Sequence, residues 1–144
     1  MNEKYYYLEH TADAKFQACG SNMEEAFKNA ALAMFNIMCD IDRIKNEKEM
    51  EVKVEGDDLK ALLYNWLEEL LFILDSKNII IGEVKNLKIS KMENYRLEAV
   101  VNGDDAGKYE IFNEVKAVTY NEMFIKEEVI GEKKRIIIQV VVDL

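Results

Sequence analysis

The sequence predicts an α+β fold in which two helices pack on largely antiparallel β-sheet. Three observations carry this reading. Short alternating segments precede a first amphipathic stretch, a wider leucine-rich stripe follows one further strand, and from residue 78 onward the pattern turns to period two with β-branched residues. The chain has 144 residues, 49% hydrophobic and 33% charged, with no internal repeat, low-complexity tract or Gly/Ser linker, so residues 1–144 read as one domain with a core of its own.

Residues 4–8 and 14–19 read as short strands, the second alternating Phe16 and Ala18 with Lys15 and Gln17. The link between them carries His10, the only histidine, with Thr11 and Asp13. Gly20 closes the second strand, and Ser21 followed by Glu24 forms a capping box that starts a helix. Met23, Ala26, Phe27, Ala30, Ala31, Met34, Ile37 and Met38 recur at three- and four-residue steps and give that helix one broad apolar face. Residues 40–48 are mostly charged and read as a surface loop, and residues 49–54 alternate as a strand. A second helix starts near Asp57; its stripe of Leu59, Leu62, Leu63, Trp66, Leu67, Leu70, Leu71 and Leu74 contains the only tryptophan and marks the core helix. Four strands follow. A tight hairpin is expected at Glu93 and Asn94, a loop at the turn-forming NGDDAG stretch (102–107), and two strands within 112–126 and 135–142 that flank a turn at Gly131 and Glu132.

Composition excludes several functions. A net charge of −9 disfavours direct binding of a phosphate backbone, which rests on clustered Lys and Arg, so any RNA is expected to be held by a partner. The six glycines occur singly, so neither glycine-rich phosphate loop exists and no nucleotide is expected by those routes. Cys19 and Cys39 form no CxxC pair and read as two buried reduced thiols. The apolar runs at 136–138 and 140–142 are too short to cross a bilayer, and no signal-peptide pattern opens the chain; a cytoplasmic protein is expected. His10 has no nucleophile-elbow serine or cysteine to work with, and fits hydrogen bonding within its loop better than a catalytic relay.

The ending IIIQVVVDL reads as a strand buried on both faces that carries Asp143 and then Leu144, setting a side-chain carboxylate beside the last residue's α-carboxylate. Such neighbours repel unless a cation or hydrogen-bond donors offset the charge. With Asp13 as a third acid, the set suits a hard cation such as calcium or magnesium rather than zinc. On spacing alone, solvated acids at strand ends explain the same residues. The VKAVTYNEM segment (115–123) sets Lys116, Thr119 and Tyr120 along a strand that bends near the hydroxyls.

LEHTADAKFQACG, MEEAFKNAALAMF, DLKALLYNWLEELLFILD, VKAVTYNEM and IQVVVDL, in this order and across nearly the whole chain, resemble the archease family. The resemblance implies an archease-like sandwich and a non-enzymatic activator of the RtcB-type tRNA-splicing ligase that promotes ligase guanylylation and multiple turnover. It also implies chaperone-like modulation of RNA processing. It assigns a metal site, usually calcium, to Asp13, Asp143 and Leu144, and leaves His10, Thr11, Lys116, Thr119 and Tyr120 to shape the loop or meet the partner. Family members commonly have histidine where this chain has Asn121, so a role that needs imidazole there is not expected. The alternative reading is a metal-dependent phosphoesterase in which Asp13 and Asp143 hold a cation that activates water.

Overall fold

The computed structural model describes residues 4–8 and 13–144, among which eight strands and two α-helices form. Strands β1 (Tyr5–Leu8) and β2 (Asp13–Gly20) lead into helix α1 (Met23–Met38), strand β3 (Lys48–Gly56) and helix α2 (Leu59–Lys77). Strands β4 (Ile79–Lys91), β5 (Tyr95–Asp105), β6 (Ala117–Val118), β7 (Phe124–Ile130) and β8 (Lys133–Asp143) follow. One sheet runs β1-β2-β8-β6 with β7 also on β8; the other runs β3-β5-β4, and every pairing is antiparallel. The α+β class is therefore as expected.

The helices lie between the two sheets: α1 meets β2 on one side and β4 on the other, while α2 meets β3 and β6. That explains why both helical stripes are so wide. Trp66, Phe27, Phe35, Met34, Leu62 and Leu67 are completely buried, and the Trp66 indole donates to the Phe27 carbonyl at 3.0 Å, which satisfies its one polar group and ties the helices together. β8 is the spine of the larger sheet. Its Ile137, Ile138, Val140, Val141 and Val142 are all buried, as a strand covered on both faces requires.

Local chemistry shifts several expected boundaries. The cap of α1 is Asn22, not Ser21: the Asn22 side chain accepts from the Glu25 N–H at 2.8 Å, and the Glu25 carboxylate accepts from the Ser21 N–H at 3.1 Å. The capping box is thus one residue later, because an asparagine side chain satisfies the same orphan donor. Asp58 caps α2, and Asn78 ends it at φ 55° in the left-handed region. Asp13 opens β2 rather than lying in the preceding loop. NGDDAG is not a loop over its length, since β5 continues through Asp105 and only a 3₁₀ turn at Ala106–Lys108 follows. Five strands, not four, come after α2, because residues 112–126 divide into an extended segment, the two-residue β6, a turn, and the start of β7. Cys19 and Cys39 are buried and free, as expected.

Candidate functional site

In the β2–β8 ladder, the period-two register pairs Asp13 with Asp143 directly and Lys15 with Val141, Gln17 with Gln139 and Cys19 with Ile137 along the same face. Directly opposed residues have Cβ atoms about 4.5–5.5 Å apart, so two carboxylates separated by almost the whole chain share one end of the sheet. Asp13 is half-buried, with Oδ1 shielded from solvent, whereas Asp143 is exposed. β6 closes the other side of that end: Ala117 pairs with Asp143, and the Lys116 N–H donates to the Asp143 carbonyl at 2.8 Å. The same register places exposed Lys116 beside Leu144, which is also exposed.

Thr119 and Tyr120 shape the turn out of β6. The Thr119 hydroxyl donates to the Val141 carbonyl at 2.8 Å, and accepts from the Asn121 N–H at 3.2 Å. Tyr120 stacks on Tyr64 of α2, ring centroids 4.5 Å apart and nearly parallel; burial, and then the negative charge of Asp58, hold its phenol above the ordinary range. Asn121 is exposed at this turn, and Glu122 follows at φ 54°. His10 and Thr11 lie outside the described residues.

Five further residues border this site and were not singled out as site residues from the sequence. Lys15, two positions along from Asp13, has an 18% exposed side chain and bonds the Glu122 carboxylate at 3.2 Å. Beside it the Tyr6 hydroxyl donates to Gln17 Oε1, Gln17 Nε2 donates to Gln139 Oε1 at 2.8 Å, and Gln139 Nε2 donates to the Glu122 carbonyl at 2.8 Å. This polar ladder anchors the turn against β2. The alternation from Asp13 through Lys15 to Gln17 brings Gln139 opposite only once β8 is set in register, and nothing in the sequence links Glu122 to this face.

The donor set at the sheet end is hard oxygen, with no thiolate nearby among the described residues, and fits calcium or magnesium. Among the described residues no three His, Cys, Asp or Glu side chains converge as a ready-made metal cluster. The Asp13–Asp143 pair would therefore need further oxygens to complete the shell of such an ion. No described helix is long and apolar enough to cross a membrane.

The family described as Archease protein family (MTH1598/TM1083) matches residues 5–144. Protein archease of Methanosarcina mazei is 37% identical over 143 residues, covering 97% of this chain and 98% of its own, and protein archease of Thermococcus gammatolerans is 42% identical over 127 residues, covering 86% and 89%. A Drosophila melanogaster protein archease-like is 38% identical over 130 residues, covering 88% of this chain and 82% of its own. The solution structure of Methanobacterium thermoautotrophicum protein 1598 superposes with a TM-score of 0.81 at 37% identity, over 98% of this chain and 99% of that one. With the fold and nearly the whole length in agreement, the chain belongs to the archease family.

Proposed function

We propose that this chain is a non-enzymatic cofactor of an RtcB-type tRNA-splicing ligase. It would promote ligase guanylylation and multiple turnover, with a calcium-type ion held by Asp13, Asp143 and the Leu144 α-carboxylate. The observation that supports this reading best is the register pair Asp13–Asp143 at the open end of the larger sheet, in a chain of this family. A calcium ion bound there would supply positive charge that offsets the carboxylates and cross-links β2 to β8. Asp13 would hold the buried side of the ion, and Asp143 and Leu144 the side open to a partner. Lys116 is exposed beside them, and the Thr119–Val141 bond with the Tyr120–Tyr64 stack fixes the turn that borders the contact surface.

An activator changes a ligase only by binding one of its states better than another, so the acidic end would favour the conformation competent for GMP transfer. RNA would be engaged by the ligase, and the work would take place in the cytoplasm, where two free thiols persist. The apolar stripes of both helices are buried between the sheets, so they are not available as a general chaperone surface. The test is multiple-turnover ligation and covalent GMP labelling of a cognate ligase, with and without this protein. Turnover beyond one product per ligase should require the wild-type chain and fail with Asp143→Ala. An unchanged ligase overturns the reading, and cation-dependent phosphoester hydrolysis by the protein alone, lost in Asp143→Ala, would assign the phosphoesterase instead.

A further inference from the structure

At the other end of the β2–β8 ladder, where Gly20 pairs with Ile136, lies a cavity of about 420 Å³. Along strands that rise about 3.4 Å per residue, it is about 24 Å from the Asp13–Asp143 pair. Its described lining holds four cations, Lys4, Lys133, Lys134 and Arg135, in a chain whose net charge is −9. Glu25 is the one acid among the described lining residues, and its carboxylate is occupied by the N–H and hydroxyl of Ser21, at 3.1 and 3.3 Å. Lys134 and Arg135 pair with Glu127 and Glu128, which are not among those lining residues. Lys4 and Lys133 make no ion pair among the described residues.

Arg135 adds a second and independent observation. Its Nε–H is buried and has no acceptor among the described residues, although Nη2 of the same guanidinium bonds Glu128 at 3.2 Å. A buried donor without an acceptor is costly, and a charged one most of all, so a shift of the Arg135 side chain that brought Nε to an acceptor in the cavity would be favoured. A ligand with negative charge and several acceptor oxygens suits this lining, which combines the Arg135 guanidinium, the Lys4 and Lys133 ammoniums and the Ser21 hydroxyl.

We propose that this cavity binds a phosphate group, free or as the monoester of a nucleotide. The volume exceeds that of one phosphate, which leaves room for the group it is attached to. The site uses side chains in place of a glycine-rich loop, so it escaped a search by motif. It is separate from the acidic end and does not depend on the ligase reading.

The test follows the backbone amides of Gly20, Ser21 and Lys133 by NMR while inorganic phosphate, a nucleoside 5′-monophosphate, or the unphosphorylated nucleoside is added to the full chain. Saturable shifts with both phosphates and none with the nucleoside are expected. Equal affinity for the two phosphates assigns a free-phosphate site, and tighter binding of the monophosphate assigns the ester. Arg135→Gln should weaken binding about tenfold, the size of one lost charge-assisted bond. The paired exposed substitutions Lys4→Gln and Lys133→Gln, which leave the core untouched, should do the same if Arg135→Gln proves too unstable. Absence of saturable shifts, or equal affinity in wild type and the Lys4/Lys133 variant, overturns the proposal.

Discussion

Asp13 and Lys15 sit two positions apart on one strand and therefore on one face, which gives the acidic sheet end a built-in cation. The Lys15 ammonium is held by Glu122 at 3.2 Å, and its side chain is mostly shielded, so its field reaches the two carboxylates with less screening than a surface lysine's would. In the proposed site that charge opposes an incoming divalent ion. Lys15→Met should therefore tighten calcium binding, by about two- to fivefold for a charge at this remove, and Glu122→Gln should loosen it by removing a nearby negative charge. Terbium luminescence titrations of the three proteins check this; a Lys15→Met protein that binds calcium more weakly than wild type contradicts it. On spacing alone Asp13, Asp143 and Leu144 read as solvated acids at strand ends, and only the archease resemblance assigned them to a metal site. Lys15 and Glu122 could not be picked out, since they are 107 positions apart and meet only through a turn at positive φ on a residue type that gives no hint of it.

At the level of elements, helix faces and strand alternation were legible because burial enforces them, whereas junctions depended on choices between near-equal local bonds. Asn22 and Ser21 can each cap a helix, and the fold selects Asn22, with Glu25 closing back on Ser21. Gly20 is fixed more firmly than either. A Cβ there would stand 2.4 Å from the Ala26 nitrogen, so β2 can turn into α1 this tightly only without one. Gly20→Ala should cost about 1–3 kcal/mol, the usual range for forcing atoms into a packed site, read as a lower urea midpoint at unchanged slope. NGDDAG looked like a loop because its residues favour turns, but its polar groups are taken up mainly by neighbouring strands and the turn that follows. Buried Asp104 accepts from the Tyr109 hydroxyl at 2.5 Å, the Asp105 N–H at 2.8 Å and Lys108 at 3.3 Å, while the Tyr109 oxygen accepts from the Lys45 N–H at 2.9 Å. The Tyr109 bond is the largest influence holding the Asp104 carboxyl below its ordinary value, against the opposing effect of burial, and the same bond pushes the Tyr109 phenol up. A depressed carboxyl stabilises the fold above the unfolded value near pH 4 and loses that contribution as pH falls through its folded value. A raised phenol contributes below about pH 10 and loses it as pH rises through its folded value. The stability difference between wild type and Tyr109→Phe should hence be greatest between those limits and shrink on both sides, as urea unfolding across the range will show; a difference that grows under acid rules this account out.

Across the whole molecule, the larger sheet brings the start of the chain against its end: β2 and β8 are neighbours although nearly the full sequence separates Asp13 from Asp143. Sequence order could not reveal this pairing, because every intervening element had to be placed before the register was known; period two supplied the face, and the fold supplied the partner. The consequence is thermodynamic. A contact of such long range forms only when the rest of the chain is folded, so an ion bridging Asp13 and Asp143 binds the native state and has no equivalent site in the unfolded one. Calcium at about one hundred times its dissociation constant should then stabilise the protein by about 2.7 kcal/mol, with about 1.4 kcal/mol more for each further tenfold excess. In a domain of this length that is a rise of roughly 5–10 °C in the unfolding midpoint. Asp143→Asn should abolish the calcium-dependent rise. Its stability without calcium should match or slightly exceed that of wild type, since replacing one of two opposed carboxylates relieves repulsion across the ladder. Extending the chain past Leu144 converts the proposed third ligand into an amide and should reduce the rise while leaving the calcium-free midpoint unchanged. Scanning calorimetry of these three proteins with calcium and with chelator separates the possibilities. A calcium-dependent rise that survives Asp143→Asn at full size would mean that the stabilising ion sits elsewhere and that the closure of this sheet owes nothing to it.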